Sequence, residues 1–246
     1  MIGNALYLAW ADTRARYRKS VLGPLWLTLG NLIGVLGLSL VWGALLKEDM
    51  SSFVPSVSLG LILWQLVAGC VGDGPTTFIR QANMIRNVAI PQGFFLLRAL
   101  FRQVINFLHN LVIVAGVVWY FDFPVGPQTM LSVVGLGLVI LNLLWMMYLL
   151  GMLGARFRDV EFLVNAFLPL LFFISPVIFR PDRLPAELNI IWLNPLSYFI
   201  EVVRGPFLNQ VPELRTYVVM VSLLVLGGAM TLVIVRLKGR QLAFWV

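Results

Sequence analysis

Long stretches without a charged residue alternate with short polar segments along this chain. The uncharged runs extend over 21–46, 53–72, 103–121, 123–155, 162–179 and 216–235. A helix needs about 20 mostly apolar residues to cross a hydrocarbon core about 30 Å thick, so each run has the length of a single crossing. Pro124 and Pro127 place the start of the fourth helix near Thr129. The pattern predicts one all-α integral membrane domain over 1–246, with six transmembrane helices at about 21–46, 53–72, 98–121, 129–155, 162–179 and 216–235.

The segment before the first run has a different pattern. Leu6, Trp10, Thr13 and Tyr17 recur at helical spacing, and most of the charged residues lie to their sides. This predicts an N-terminal amphipathic interfacial helix over 1–20, whose rings lie at headgroup depth. Its arginines would contact anionic lipid or an acidic partner surface. A simple topological anchor is the alternative.

The segment 180–215 is rich in proline and too polar to cross as one helix. Its apolar part, about 188–200, is too short to span. We predict a re-entrant outer segment there, between the fifth and sixth spans. Because non-helical backbone at membrane depth needs a protein or water-filled cavity around it, this segment is the predicted outer gate of a pathway.

Composition and charge agree with a membrane protein. Hydrophobic residues make up 60% of the chain and charged residues 12%, whereas a soluble domain carries about 25% charged residues. The net charge of +7 comes from basic residues that flank apolar runs, so it indicates topology and does not predict nucleic-acid binding. Placing both termini in the cytoplasm puts most Lys and Arg residues on the cytoplasmic side.

The chain lacks the residue patterns of an enzyme. Cys70 is the single cysteine and His109 the single histidine, and the predicted spans contain no acidic residue that could pair with His109. No Gly-Lys-Ser/Thr phosphate loop occurs. We therefore predict no catalytic, metal or cofactor site and no ATP hydrolysis by this chain itself. The absence of carboxylates within the spans also disfavours an ion-driven transporter.

The third span has a polar face, formed by Arg102, Gln103, Asn106, His109 and Asn110. Intramembrane polar groups face the bundle or a watery cavity because lipid cannot satisfy them. Hydrogen bonding between helices is the favoured interpretation, and substrate contact is the alternative.

Two cytoplasmic loops mix apolar and basic residues. One extends from Asp73 to Pro91, and the other is the short turn 156–161. Such composition suits docking of a partner, although a solvated loop with topological arginines remains equally compatible with it.

The segment 16–26, RYRKSVLGPLW, resembles the lead-in motif of the membrane subunit of polysaccharide-exporting ABC transporters. That family moves O-antigen, capsule and teichoic acid precursors out of bacteria. The motif residues are Arg16, Tyr17, Arg18, Lys19, Gly23, Pro24 and Trp26. Further similarity lies in the 156–159 turn, in the tail 240–245 and in an outer segment. The residues of that outer segment are Asn194, Pro195, Tyr198, Glu201 and Arg204.

The resemblance implies a homodimer in the bacterial inner membrane that carries two copies of a separate ATPase, which binds ATP and Mg. It implies a channel for a lipid-linked polysaccharide, with O-antigen as the first expectation. It also implies coupling contacts with the ATPase. The residues expected to make them are Arg80, Ile85, Arg86, Arg156, Phe157, Arg158 and Asp159.

A path for sugar chains is expected to carry aromatic rings, whose faces stack on sugar C–H groups without fixed hydrogen bonds. The candidates are Trp42, Trp64, Phe172 and Phe173, each of which could equally be a packing or lipid-facing residue. Three other functions stay open. A lipid or drug ABC exporter subunit would share the architecture but not the lead-in motif, a channel or secondary transporter would work without an ATPase, and a membrane-embedded enzyme would need catalytic groups.

Overall fold

The chain is a bundle of α-helices in a computed structural model, which describes residues 2–17, Gly23, 25–88, 90–180 and 191–246. Within these ranges there is no β-strand, which confirms the predicted all-helical fold class. The helices are α1 (Ile2–Tyr17), α2 (Leu25–Leu46), α3 (Met50–Asp73), α4 (Ala82–Asn87), α5 (Gln92–Tyr120), α6 (Thr129–Arg156), α7 (Asp159–Ile174), α8 (Pro195–Phe207), α9 (Leu214–Lys238) and α10 (Leu242–Trp245).

Five segments of the described residues are long and apolar enough to cross a membrane. They are Thr28–Leu46, Met50–Thr76, Gln92–Tyr120, Thr129–Arg156 and Leu214–Trp245. They correspond to the first four and the last of the predicted spans. The helix of the third predicted span, α5, begins at Gln92, earlier than the predicted 98. Arg98 and Arg102 lie within it, and carboxylates from other elements pair with both.

The fifth predicted span, 162–179, is helical only in part. Helix α7 has 16 residues and ends at Ile174, so the helix alone is about 24 Å long. Ser175 is extended, as expected for a residue that precedes a proline. Beyond it the chain continues without helix to Arg180, whose guanidinium donates to the Ser52 carbonyl at 2.9 Å. The count of six spans stays a prediction.

Helix α3 is the centre of the bundle. Of its 18 most apolar consecutive residues, 83% are buried. The corresponding share is 17% in α2 and 17% in α9. It packs against α2, α5, α6, α7 and α8. A helix that is apolar on all sides is expected to be enclosed in this way.

Both ends of the chain lie at one end of the bundle. Ala5 near the N-terminus and Leu242 and Val246 near the C-terminus share a small apolar core with Phe78 and Phe95. We call this the terminal end. At the opposite end, Asn209 donates to the Pro124 carbonyl at 2.7 Å, which joins the loops that follow α8 and α5.

The opposite end also contains the N-cap of α3. The Asp49 carboxylate accepts hydrogen bonds from the hydroxyl and the backbone N–H of Ser51. These hydrogen bonds hold the pKa of Asp49 below its ordinary value, because they stabilise the ionised form.

Helix α1 packs on α5 through small residues. Ala5, Ala9 and Thr13 are buried, and they recur every four residues on one face. Leu6 and Trp10 of the predicted apolar stripe are about half exposed, at 48% and 51%. The helix therefore uses a small-residue face for packing and directs its larger apolar residues outward.

Helices α6 and α8 approach each other closely at Gly135. A Cβ atom on Gly135 would lie 2.3 Å from the carbonyl oxygen of Val202. The neighbouring Ser132 hydroxyl donates to the Val203 carbonyl at 2.7 Å. Small residues permit such backbone contact between membrane helices.

We expect Gly135→Ala to destabilise the folded protein, by about 1–3 kcal/mol, because the added methyl group overpacks against backbone. The matched control is Gly137→Ala on the same helix, where a Cβ atom meets nothing within 4 Å. That change should leave the free energy of unfolding unchanged or raise it by up to about 1 kcal/mol, because alanine favours the helix more than glycine does. The measurement is the thermal unfolding midpoint of both variants in the same detergent. Equal midpoints would contradict the close contact.

Candidate functional site

The two predicted docking loops lie together at the terminal end. The loop after α3 lies directly on the last turns of α6. A Cβ atom on Gly154 would come within 2.2 Å of the Pro75 carbonyl oxygen, and one on Gly151 within 2.8 Å of the Phe78 ring. Glycine at these two positions thus allows the 74–91 loop to reach the 156–161 turn.

The C-terminal segment 239–246 connects the two loops. Arg86 of α4 donates to the main-chain oxygen of Val246. Arg158 donates to the Trp245 carbonyl at 3.2 Å. Leu242 and Val246 are buried in the small apolar core of this end. One short segment therefore contacts both loops.

The two loops and the C-terminal segment together form an exposed face that has both apolar and basic residues. Met84, Val88 and Phe157 are 44%, 50% and 55% exposed, and the Arg156 guanidinium lies 5.3 Å from the centroid of the Phe157 ring. We call this face the docking surface. Its residues are Met84, Arg86, Val88, Arg156, Phe157, Arg158 and Asp159.

The structure distributes the seven predicted coupling residues over two roles. Five of them are exposed on the docking surface. Ile85 is half-buried and packs against the core of the terminal end. Arg80 forms an ion pair with Asp73 at 3.0 Å. Ile85 thus packs inward and Arg80, whose side chain is 54% exposed, pairs with Asp73, whereas the other five lie on the docking surface.

Two carboxylates organise the basic residues behind the docking surface. Asp73 accepts from Arg80 at 3.0 Å, from Arg102 at 2.7 Å and from Gln103 at 2.6 Å. These contacts tie the end of α3 to α5. Such multiply bonded carboxylates are geometrically specific, because several donors converge on one group.

The second carboxylate holds the N-terminal helix. Asp12 of α1 accepts two hydrogen bonds from Arg98 of α5, both at 2.7 Å. Sequence reasoning did not find this bidentate pair or the Asp73 network. The available signal was that Asp12 and Asp73 are acidic residues among basic ones beside a predicted span.

The residues of the predicted outer gate surround the start of α8. Asn194 caps that helix by accepting from the Leu196 N–H at 3.0 Å, and it donates to the Ser175 hydroxyl at 2.8 Å. Pro195 is the first helical residue, where its missing N–H has no cost. Tyr198 is buried against Trp192, with ring centroids 5.1 Å apart.

Arg204 is the most enclosed charged side chain of the described residues, with 1% exposure. It donates to the Pro176 carbonyl and, at 3.2 Å, to the Phe179 carbonyl. It also pairs with Glu201 at 3.3 Å. Because the segment 175–180 is not helical, its carbonyls need external donors, and Arg204 supplies them.

The lead-in motif is described only in part. Arg16 and Tyr17 are the last residues of α1. Gly23 adopts a left-handed conformation, with φ of 53°, at the turn before α2. Trp26 in the first turn of α2 is 61% exposed. Arg18, Lys19 and Pro24 lie outside the described residues.

Comparison with known families identifies the family of this chain. Residues 4–208 match the ABC-2 type transporter family. This chain belongs to that family. Two O-antigen export system permease proteins RfbA of Klebsiella pneumoniae are similar to it. One is 24% identical over 203 residues, which is 80% of this chain and 77% of the relative. The other is 25% identical over 207 residues, which is 81% of this chain and 78% of the relative.

A third relative is the O-antigen export system permease protein RfbA of Myxococcus xanthus. It is 25% identical over 187 residues, which is 75% of this chain and 71% of the relative. The ABC-2 match extends from α1 to the end of α8, so it contains the docking loops and Arg204. Helix α9 and the C-terminal segment follow it. The chain is thus a multi-pass membrane protein of the permease type.

In this ABC-2 transporter chain, three of the four predicted path aromatics lie together. Trp64 is buried and lies 5.6 Å from Phe172 between ring centroids. Phe173 is 65% exposed and contacts Phe172 edge-on, at 5.4 Å. Trp42 is half-buried on α2. Their role in a path stays a prediction.

Among the described residues of this ABC-2 chain, no three His, Cys, Asp or Glu side chains are placed to hold a metal ion together. The docking surface offers exposed apolar groups and cations. Groups of this kind can contact another protein.

Proposed function

We propose that this chain is the channel-forming membrane subunit of an ATP-driven exporter, which moves a lipid-linked polysaccharide, O-antigen in the first instance, out of the cytoplasm. The observation that carries the proposal is the similarity to three O-antigen export permeases, each over at least 75% of the chain. The docking surface supports it, because a transport subunit without its own nucleotide site needs a place to receive an ATPase.

We propose that the terminal end faces the cytoplasm of a bacterium whose inner membrane holds the chain. Helix α7 and the segment 175–180 together would form the fifth of six crossings, since Arg180 reaches the first residues of α3. The segment 191–194 with α8 would be the re-entrant outer part, closed by Arg204. The basic residues near both termini support this orientation.

The ATPase partner would bind the docking surface and would hold ATP and Mg itself. Phe157, Met84 and Val88 offer apolar contacts, and Arg156 and Arg158 offer charges, a combination typical of interface centres. Movement of this surface would reach the membrane through two rigid routes. One is the loop packed on α6 at Gly154, and the other is the Asp73 network between α3 and α5.

A second copy of the chain would complete the channel, giving two copies of this subunit with two ATPase subunits. Helix α7 supports this proposal, since nearly all of its length is exposed although it is apolar. Its exposed large residues are Phe162, Leu163, Phe167, Leu170 and Phe173. With Phe173 on this face and Phe172 beside Trp64, the predicted path aromatics would lie near the contact between copies.

The experiment that tests this function is purification of the tagged chain from its native membranes in mild detergent, followed by mass measurement of the intact complex. We expect two copies of the chain with two copies of an ATPase, and ATP hydrolysis by that complex. A variant with Phe157→Ser and Arg158→Ser should recover the chain without the ATPase. Recovery of the wild-type chain alone would favour a channel or secondary transporter.

The substrate is tested separately, because a lipid or drug exporter subunit would assemble in the same way. Cells that lack this chain should accumulate lipid-linked glycan on the cytoplasmic side of the inner membrane. Unchanged glycan distribution in these cells, when the wild-type chain does purify with an ATPase, would exclude the polysaccharide and favour a lipid or drug as the substrate.

A further inference from the structure

A cavity of about 130 Å³ lies between α3 and α5, inside a single copy of the chain. Four of its seven lining residues carry neutral side-chain amides, and the other three are apolar. The lining residues are Ile62, Gln65, Leu66, Gln103, Asn106, Phe107 and Asn110. None of the proposed steps of export uses this cavity.

The amides around the cavity are not all paired. Asn110 is 3% exposed, and its side-chain oxygen has no hydrogen-bond partner in the described part of the chain. Gln65 donates to Asn31 of α2 at 2.7 Å, but the side-chain nitrogen of Asn31 is also buried without a partner. A buried amide group left unpaired costs about 1–3 kcal/mol, so the Asn110 oxygen, on a residue that lines the cavity, points to a ligand.

Gln103 separates this cavity from a charged pocket at the terminal end. Its side-chain nitrogen donates to Asp73 at 2.6 Å, on the side of the pocket that Asp12, Arg80 and Arg102 line. Its oxygen faces Asn106, whose amide donates to it at 3.4 Å. Gly69 leaves the room that this side chain occupies, because a Cβ atom there would lie 2.7 Å from that oxygen.

The lining selects the ligand by its chemistry. No charged side chain lines the cavity, so neither an ion nor a charged headgroup would be compensated there. Amides both donate and accept hydrogen bonds, as hydroxyl groups do. At about 30 Å³ for each molecule in the liquid, the cavity has room for about four waters.

We propose that the cavity binds neutral hydroxyl groups, with water as its occupant in the purified protein, and that Gln103 is the positioning residue that closes it toward the terminal end. Water would satisfy Asn110 and would bridge the amides of α3 and α5. Bridging water exchanges readily, so the two helices could shift against each other without leaving amides unpaired. This inference does not depend on which substrate the chain exports.

The test is the reactivity of single cysteines toward a small, neutral, hydroxyl-bearing methanethiosulfonate, in a Cys70→Ala background. Thiols react as thiolates, which form only where water reaches them. We expect Asn106→Cys to react faster than Leu108→Cys, on the order of tenfold or more. Leu108 is the matched control, since it lies two residues further along α5 and is 54% exposed on the apolar surface.

Adding Gln103→Ala to the Asn106→Cys variant should raise the rate further, because the passage to the charged pocket is opened. Gln65→Cys, on the α3 side of the cavity, is the second position and should behave as Asn106→Cys does. A rate unaffected by excess glycerol would identify water as the occupant, and a slowed rate would identify polyol hydroxyls as further ligands. Equal, slow rates for Gln65→Cys, Asn106→Cys and Leu108→Cys would overturn the proposal.

Discussion

Glycan export is expected to stop in the double variant Arg158→Ala, Asp159→Ala, while the protein remains in the membrane at its normal level. Both side chains are exposed on the docking surface, and exposed substitutions usually change stability by less than about 0.5 kcal/mol. Interface hot spots, by contrast, cost about 2 kcal/mol or more when truncated. Since about 1.4 kcal/mol corresponds to tenfold in affinity, ATPase binding should fall at least that far.

Two quantities are measured. One is the amount of glycan at the cell surface, seen on a gel, and the other is the amount of ATPase that purifies with the tagged chain. The matched control is Arg236→Ala, which removes an exposed cation of α9 outside the docking surface. Because Arg158 also donates to the Trp245 carbonyl, the thermal unfolding midpoint of both variants must be compared. Unchanged export from the double variant would refute the assignment of this turn as a coupling contact.

Replacement of Arg204 is expected to have the largest effect on folding. Arg204→Met keeps much of the side-chain volume but removes the donors to the Pro176 and Phe179 carbonyls and leaves Glu201 without this cation. Removing one partner of a buried ion pair costs about 3–5 kcal/mol. Such a loss is a large part of the stability of a domain, so we expect little folded protein in detergent extracts.

The control for Arg204 is Arg215→Met, since Arg215 is exposed in the first turn of α9. It should leave the yield and the unfolding midpoint almost unchanged. Glu201→Gln should have an intermediate effect, because Gln keeps an acceptor for Arg204. A folded Arg204→Met protein with a normal midpoint would show that the 175–180 carbonyls do not depend on this side chain.

The docking surface illustrates how a weak sequence signal becomes a defined site. Composition alone left the 73–91 and 156–161 loops as either docking elements or solvated loops. The fold places them side by side, because Gly154 and Gly151 let the first loop lie on α6. The C-terminal segment then joins them through Arg86 and Arg158, and this contact over long sequence distance has no local signature.

For the outer-gate residues, the proximity was predicted from the sequence but the contacts were not. Their proximity was expected from a resemblance, and the structure brings Asn194 and Arg204 onto one non-helical segment, with Glu201 paired to Arg204. What the residues do there could not be read from spacing. Arg204 serves the carbonyls of 176 and 179, which precede it by more than twenty positions, and only the bend after α7 exposes those carbonyls to it.

The sequence by itself determined the membrane helices, because hydrocarbon thickness sets a length and lipid excludes charge, so each span is a local property of about 20 residues. The tertiary structure alone decided how Asp12 and Asp73 satisfy the arginines of α5 and which amides lie beside a cavity. Those outcomes depend on groups from different helices that share their hydrogen bonds, and that pairing is settled only when the helices pack.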